Sequence, residues 1–427
     1  MFHKKYGNRR KVMCGSVPIG GGSPISVQSM SNIDTKNVKA VLKQIEEIKE
    51  AGGQIVRLAV PDEEAAEAFS EITKNTSVPL VADIHFDYRL ALMAIRGGAK
   101  KIRINPGNIG SRENLKKIAL AAKERNLPIR VGVNSGSLEK DVLKKAGKIT
   151  AEGIVESALE NVEILEDLGF SDIVLSLKSS NPLLNYKAYV MAYEACDYPL
   201  HIGVTEAGTG FSGEIKSAVG IGGLLLRGIG DTVRVSLTGD PIKEIKLAKE
   251  IIWASNIEKK PINIVFCPTC GRTGIDLEAV VKSVEAALEP VAREREKNNF
   301  TGMTVAVMGC EVNGPGEAKD ADVGVACGKG AALIFKEGKP FKNFSCQNPC
   351  LDSCTHCYTF IRVDSLERFL SCNFLNCFLN RNTSCGTAYQ NNLFDVGICN
   401  TCVSHSLLNR LNSSFHQISC QLIVLGS

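Results

Sequence analysis

The chain has 427 residues, 44% hydrophobic and 22% charged, with 50 Lys and Arg against 46 Asp and Glu for a net charge of +4. That length predicts two or three domains and a sizeable core, and so even a charge balance argues against general nucleic-acid or membrane-surface binding. No apolar run is long enough to span a bilayer and the polar start MFHKKYGNRRKV is unlike a secretory signal, so a soluble, cytoplasmic protein is expected.

From about residue 25 to 255 a β-rich run that ends in polar residues is followed repeatedly by an amphipathic helical stretch. The strand candidates are residues 25–30, 54–60, 79–85, 101–106, 129–136, 172–180, 200–208 and 231–239, eight in all. The stretches between them, such as NVKAVLKQIEEIKEAGG, place apolar residues three and four apart, and Gly52, Asn75 and Gly169 supply the closing residues that helices favour. A helix in every gap requires parallel pairing through right-handed crossovers, and eight such units predict an α/β fold, a (β/α)8 TIM barrel over residues 1–258. An open doubly wound sheet is the structural alternative.

Alternate residues of a barrel strand point inward, and chemistry gathers at the C-terminal strand ends. By parity Asp83 and His85 share a face, as do Arg103 and Asn105, Arg130 and Asn134, Ser176 and Lys178, and Arg234 and Ser236; Arg57 lies late in its own strand. Any one of these reads most simply as a structural ion pair. Four Arg and one Lys on one mouth, opposed chiefly by Asp83 and Glu206, suit a polyanion instead, because guanidinium forks match phosphate oxygens. The glycine-rich run after strand seven contains Gly208, Gly210 and Gly213 in G-x-G-x-x-G spacing. Its place in the seventh unit favours a barrel phosphate site over dinucleotide binding, with a mobile loop as the plain alternative. Glu206 and His85 are candidate acid–base groups, whereas His201, at the start of its strand, reads as structural.

Beyond residue 258 the pattern becomes strand, Cys-rich turn and long helix, then strand, Gly/Pro turn and hairpin, a small α+β domain over residues 259–340. Cys267 and Cys270 form a C-x-x-C, and Cys310 occupies a second turn. The spacing leaves an iron–sulfur cluster, zinc with a fourth ligand, and a redox dithiol all open, while Cys327 reads as core.

CPTCGRT and VMGCEVNGPGEA resemble the iron–sulfur domain of the bacterial 4-hydroxy-3-methylbut-2-enyl diphosphate synthase family, of the methylerythritol phosphate route to isoprenoids. VADIHFDYRLAL, KIRINPGNIG, PIRVGVNSGSL, PLHIGVTEAGTG and GIGDTVRVSLTGDP resemble its barrel, in register from about residue 5 to 340, without the inserted domain of longer members. The resemblance implies a [4Fe–4S] cluster held by Cys267, Cys270, Cys310 and Glu317. It also implies an oxidoreductase that opens the ring of methylerythritol cyclodiphosphate and removes a hydroxyl as water, with two electrons from flavodoxin or ferredoxin. Arg57, Arg103, Arg130, Lys178 and Arg234 would meet the diphosphate, with Asp83, His85, Asn105, Asn134 and Ser236 beside them and Glu206 as acid–base carboxylate. A homodimer is implied, the cluster domain of one chain closing the barrel mouth of the other. Rival readings are a pterin-binding or methyl-transferring barrel and an iron–sulfur protein that only senses or carries electrons.

After about residue 341 the composition breaks. Ten of the 16 cysteines lie in the last 87 residues, with eleven Asn, eleven Ser and only one Ala. Out-of-frame or read-through sequence explains so abrupt a change. A metal-binding appendix around Cys346, Cys350, Cys354 and Cys357 competes with it, and a radical-SAM site on C-x-x-x-C-x-x-C is a remote third. The strand and helix that end family members are not recognisable in this stretch.

Overall fold

The computed structural model describes residues 9–105, 109, 111–134, 149–271, 273, 275–300, 302–310, 316, 319–328 and 331–345. The chain divides into two units, Met1–Lys260 and Pro261–Ser427.

The first unit opens with a hairpin that the sequence reading did not anticipate, β1 (Lys11–Cys14) and β2 (Val17–Gly20). Gly15 turns it at φ +59°, a conformation that a β-carbon disfavours. Alternation turns Val12, Cys14 and Ile19 inward, where they pack on Ile55, Val81 and Val174 and plug the barrel floor.

The barrel strands are β3 (Ser26–Met30), β4 (Ile55–Ala59), β5 (Leu80–Asp83), β6 (Lys101–Ile104), β7 (Ile129–Asn134), β8 (Ile173–Lys178), β9 (His201–Ile202) and β10 (Thr232–Val233). They run in the order β8-β7-β6-β5-β4-β3-β10-β9, and all their pairings are parallel. Between them lie α1 (Val38–Glu50), α2 (Glu63–Lys74), α3 (Tyr88–Arg96), α4 (Arg112–Glu124), α5 (Ala151–Asp167), α6 (Pro182–Ala195), α7 (Gly210–Leu225) and, after β10, α8 (Pro241–Ala254). Side-chain caps start most of them, as where Asp62 accepts from the Ala65 N–H at 2.9 Å. The inner helix faces follow the three-four period, Val41, Gln44, Ile45 and Ile48 on α1, and pack on the outward residues of the strands, Val56 and Leu58 on β4 among them. This is the expected barrel.

Strands seven and eight are shorter than the nine-residue runs in the sequence suggest, two residues each in β9 and β10. Close packing follows β9: a β-carbon at Gly203 would lie 2.7 Å from Lys178 Nζ, so only glycine fits there. The seam between β8 and β9 keeps one parallel bridge, Leu175 with Leu200, and is completed by a side chain. Tyr189, fully buried on α6, accepts from the Leu177 N–H at 3.1 Å and donates to the His201 carbonyl at 2.6 Å. Replacing Tyr189 with Phe strands both backbone groups. We expect a loss of about 1–3 kcal/mol, read from urea unfolding midpoints, because a buried unpaired amide or carbonyl carries its desolvation penalty; an unchanged midpoint would show the seam closing without the hydroxyl.

The second unit is a five-stranded sheet with one long helix: β11 (Ile262–Phe266), α9 (Leu277–Lys297), β12 (Met303–Met308), β13 (Val323–Gly328), β14 (Ala331–Lys336) and β15 (Lys339–Ser345). Its strands follow that order, the first three parallel and the last two antiparallel additions. Val280, Val281, Val284 and Leu288 of α9 pack on Met303, Val305 and Val307. β15 was not foreseen; it carries the sheet to Ser345, past the composition break near 341. Among the described residues no helix is long and apolar enough to cross a membrane.

Candidate active site

Partners in a parallel ladder face the same way, so the register tests the parity reading directly. Met30 pairs with Arg57, Asp83 with Arg103, Arg103 with Arg130, and Asn134 with Lys178. One inner surface therefore carries Arg57, Asp83, Arg103, Arg130 and Lys178, each less than a tenth exposed. Asn105 is also buried, Arg234 and Ser236 are half-buried after β10, and the Asn134 side chain lies outside the described residues.

Asp83 is the hub. Its carboxylate accepts from Arg103 Nη1 at 3.0 Å, with Arg57 Nε at 3.7 Å and His85 Nε2 at 3.4 Å. Burial alone would push its carboxyl up, but Arg57, a hydrogen bond from His85, Arg103 and Arg130 together hold it far below the usual carboxylate range. His85 stands at the edge, its side chain 56% exposed, 3.4 Å from Arg103 Nη1.

The cations outnumber what Asp83 can neutralise. Burial, then Arg57 and Arg103, drives the Arg130 guanidinium well below its ordinary value, and its Nε and Nη1 meet no acceptor among the described residues. Burial brings Arg57 down to about 10 despite Asp83. Lys178 is driven well down by burial and then by Arg234, Arg130 and Arg57. Such a set is unfavourable without an anion, and two or more negative charges on a compact ligand would relieve it.

Two features went unread in the sequence. Glu244, on the inner face of α8, is 5% exposed and lies 3.8 Å from Arg234, a second carboxylate that parity on the strands cannot find. Its signal was a charged residue in the inward register of an amphipathic helix, beside Pro241, Ile245 and Ala248. Glu206 is exposed, as a rim acid–base group should be, and sits at φ +52° in the left-handed region, a conformation costly for a residue with a side chain. Gly210 and Gly213 lie in the first turns of α7 and Gly208 just before it, where its carbonyl accepts from the Thr238 N–H at 3.2 Å, tying the run to the segment after β10. His201 is fully buried.

In the second unit Cys267 is half-buried at the end of β11, Cys270 is exposed and Cys310 half-buried after β12; none is in a disulfide. The Gly309 N–H donates to Cys267 Sγ at 3.2 Å, which joins the two cysteine turns, and the Cys270 N–H donates to Thr273 Oγ1 at 3.1 Å. Three Cys side chains on two turns, one sulfur already accepting a backbone N–H, fit an iron–sulfur centre in kind. Among the described residues no three Cys, His, Asp or Glu side chains converge on one point. Glu317 lies outside them. Cys327 is buried on β13, where burial and the nearby Cys267 raise its thiol to about 11.

Residues 9–249 match the family described as the GcpE TIM-barrel domain, and residues 263–356 the GcpE protein C-terminal domain. Residues 340–427 match a family described as NAD-specific glutamate dehydrogenase, a stretch too short to assign the chain. A 4-hydroxy-3-methylbut-2-en-1-yl diphosphate synthase (flavodoxin) of Clostridium acetobutylicum is 54% identical over 339 residues, 79% of this chain and 95% of that one. A protein of the same name from Clostridium perfringens is 56% identical over 333 residues, 78% of this chain and 93% of that one. Among solved structures, a Yersinia pestis dihydropteroate synthase aligns at a TM-score of 0.43 and 15% identity, covering 58% of this chain and 99% of that one, too distant to carry weight. With its barrel match spanning more than half of its length and relatives this similar along nearly all of theirs, the chain belongs to the GcpE family.

Proposed function

We propose that this chain performs the reaction for which its relatives are named: reductive ring opening and dehydration of 2-C-methyl-D-erythritol 2,4-cyclodiphosphate to 4-hydroxy-3-methylbut-2-enyl diphosphate, a step of isoprenoid precursor synthesis. One observation carries the reading for this molecule. Arg57, Arg103, Arg130, Lys178 and Arg234 share a concave surface with two buried carboxylates, Asp83 and Glu244. A diphosphate supplies the missing negative charge in the shape that guanidinium forks recognise. Asn105, Asn134 and Ser236 add neutral hydrogen-bonding groups for oxygens at the rim.

Glu206 and His85 move or hold protons in this reading. Glu206 stands at the open edge, where it can deliver a proton to the departing hydroxyl, and His85 rests against Asp83, which orients the ring. Cys267, Cys270, Cys310 and Glu317 would hold a [4Fe–4S] cluster, which supplies the two electrons one at a time. The relatives' name specifies flavodoxin, so flavodoxin or ferredoxin is the proposed donor. A cytoplasmic homodimer is proposed, the cluster domain of one chain meeting the barrel of the other; Phe211, Ile215 and Val219, exposed at four-residue intervals on α7, offer an association face. The Cys-rich stretch from residue 341 is read as out-of-frame or read-through sequence, beyond what β15 uses of it.

The test is iron and acid-labile sulfide per full-length chain after anaerobic reconstitution. About four of each, together with turnover of the cyclodiphosphate, is the expected result. Near-zero iron in a folded chain would sink the redox half of the reading, whatever the barrel binds.

A further inference from the structure

Glu244 occupies the first turn of α8. Its Oε2 accepts from the Ser29 hydroxyl of β3 at 3.2 Å, and its Oε1 accepts from the Leu237 N–H at 2.9 Å. The next peptide, Thr238 N–H, donates to the Gly208 carbonyl at 3.2 Å, two residues past Glu206. One residue further on, the Gly239 carbonyl accepts from Asn32 Nδ2 at 3.1 Å, and Asn32 is itself held by Gln44 Nε2 at 2.7 Å. The segment that leaves β10 is thus fastened at three successive residues: to α8, to the Glu206 loop, and to the loop after β3.

We propose that Glu244 is a positioning residue for the reaction, fixing through the Leu237 N–H a strap that sets Arg234 at one end and the loop bearing Glu206 at the other. The inference rests on the roles given above to Arg234 and Glu206. Binding an anion and transferring a proton in one site both demand side chains held to a fraction of an ångström, and rim loops acquire that precision only from such supporting bonds. At 3.8 Å the Arg234 guanidinium is beyond hydrogen-bonding reach of Glu244, whereas the Leu237 amide is well within it. Beside its charge, the carboxylate therefore has a second task, accepting that amide. Neither Glu244 nor Asn32 needs to touch substrate.

The experiment uses the full-length, anaerobically reconstituted enzyme, with kcat, KM, thermal midpoint, cluster absorption and affinity for inorganic pyrophosphate measured for Glu244→Gln, Glu244→Ala and Asn32→Ala. Glu244→Gln keeps the acceptor, so its kcat stays within about threefold of wild type, and pyrophosphate binds at least as tightly because a negative charge has left the site. Glu244→Ala removes the acceptor and lowers kcat roughly tenfold or more with cluster absorption unchanged. Asn32→Ala changes an exposed residue that folding does not require. It lowers kcat about three- to tenfold with pyrophosphate affinity unchanged. Wild-type kcat in a folded Glu244→Ala, or equal damage from Gln and Ala, overturns the proposal. If Glu244→Ala does not fold, Asn32→Ala decides, and an unchanged kcat there overturns it. Failure of the wild type to bind pyrophosphate would remove the anion-mouth reading itself, a result distinct from these.

Discussion

Glu206→Gln lowers kcat by about 10²–10⁴-fold, the range that general acid–base groups contribute, while cluster absorption and substrate affinity stay near wild type. The amide is isosteric and neutral, so it retains hydrogen bonding but has no proton to give at neutral pH. Glu206 is exposed and is held in a left-handed backbone conformation that nothing in its own chemistry favours. Strain of this kind persists where the surroundings impose it, here the Gly208 to Thr238 bond two residues on. Because the side chain is exposed, the substitution leaves no cavity and the thermal midpoint should not move. Unchanged turnover would strip Glu206 of its role and pass it to His85, the other titratable group at this edge.

Arg130→Ala weakens binding of the cyclodiphosphate roughly 100-fold, about 2.7 kcal/mol, with the cluster spectrum intact. The residue is 2% exposed and hemmed in by Arg57 and Arg103, and two of its nitrogens have no acceptor among the described residues. Without an anion to pair with, such a residue costs stability. Its removal should leave the unfolding midpoint unchanged or raise it, even as affinity falls, since one of the like charges around Arg57 and Arg103 is gone. Arg130→Lys restores the charge but not the fork, and an intermediate affinity is expected. Anaerobic calorimetry with substrate measures both, and equal affinity in Arg130→Ala would overturn the cationic-mouth argument.

The mouth was legible because a barrel strand has a period of two: once the strands are placed, parity alone puts Asp83, Arg103, Arg130 and Lys178 on one surface, as the register does. Glu244 escaped that logic because it reaches the site from a helix, where a lone inward carboxylate looks like a misplaced surface residue. The backbone angle of Glu206 has no sequence signature, since non-glycine residues adopt it only under tertiary constraint. Strand length failed at β9 and β10 because an alternating run shows where a chain is extended and not how far its ladder is regular. The cysteine spacing restricted the chemistry to a few thiolate centres, and only family resemblance chose among them. The hairpin β1–β2 has strands of only four residues, too short for alternation to stand out, and its Gly-Ser turn is the one local signal.

That hairpin sets an order of events during synthesis. It leaves the ribosome before the residues it seats against, which come from β4, β5 and β8, the last of these the sixth strand of the barrel. A local two-stranded ribbon has little stability alone, so Val12, Cys14 and Ile19 must wait, exposed, until that strand has been made. The floor of the barrel is thus translated early and sealed late, and an N-terminal fusion that delays its docking would lower the yield of folded chain without touching a single residue of the active site.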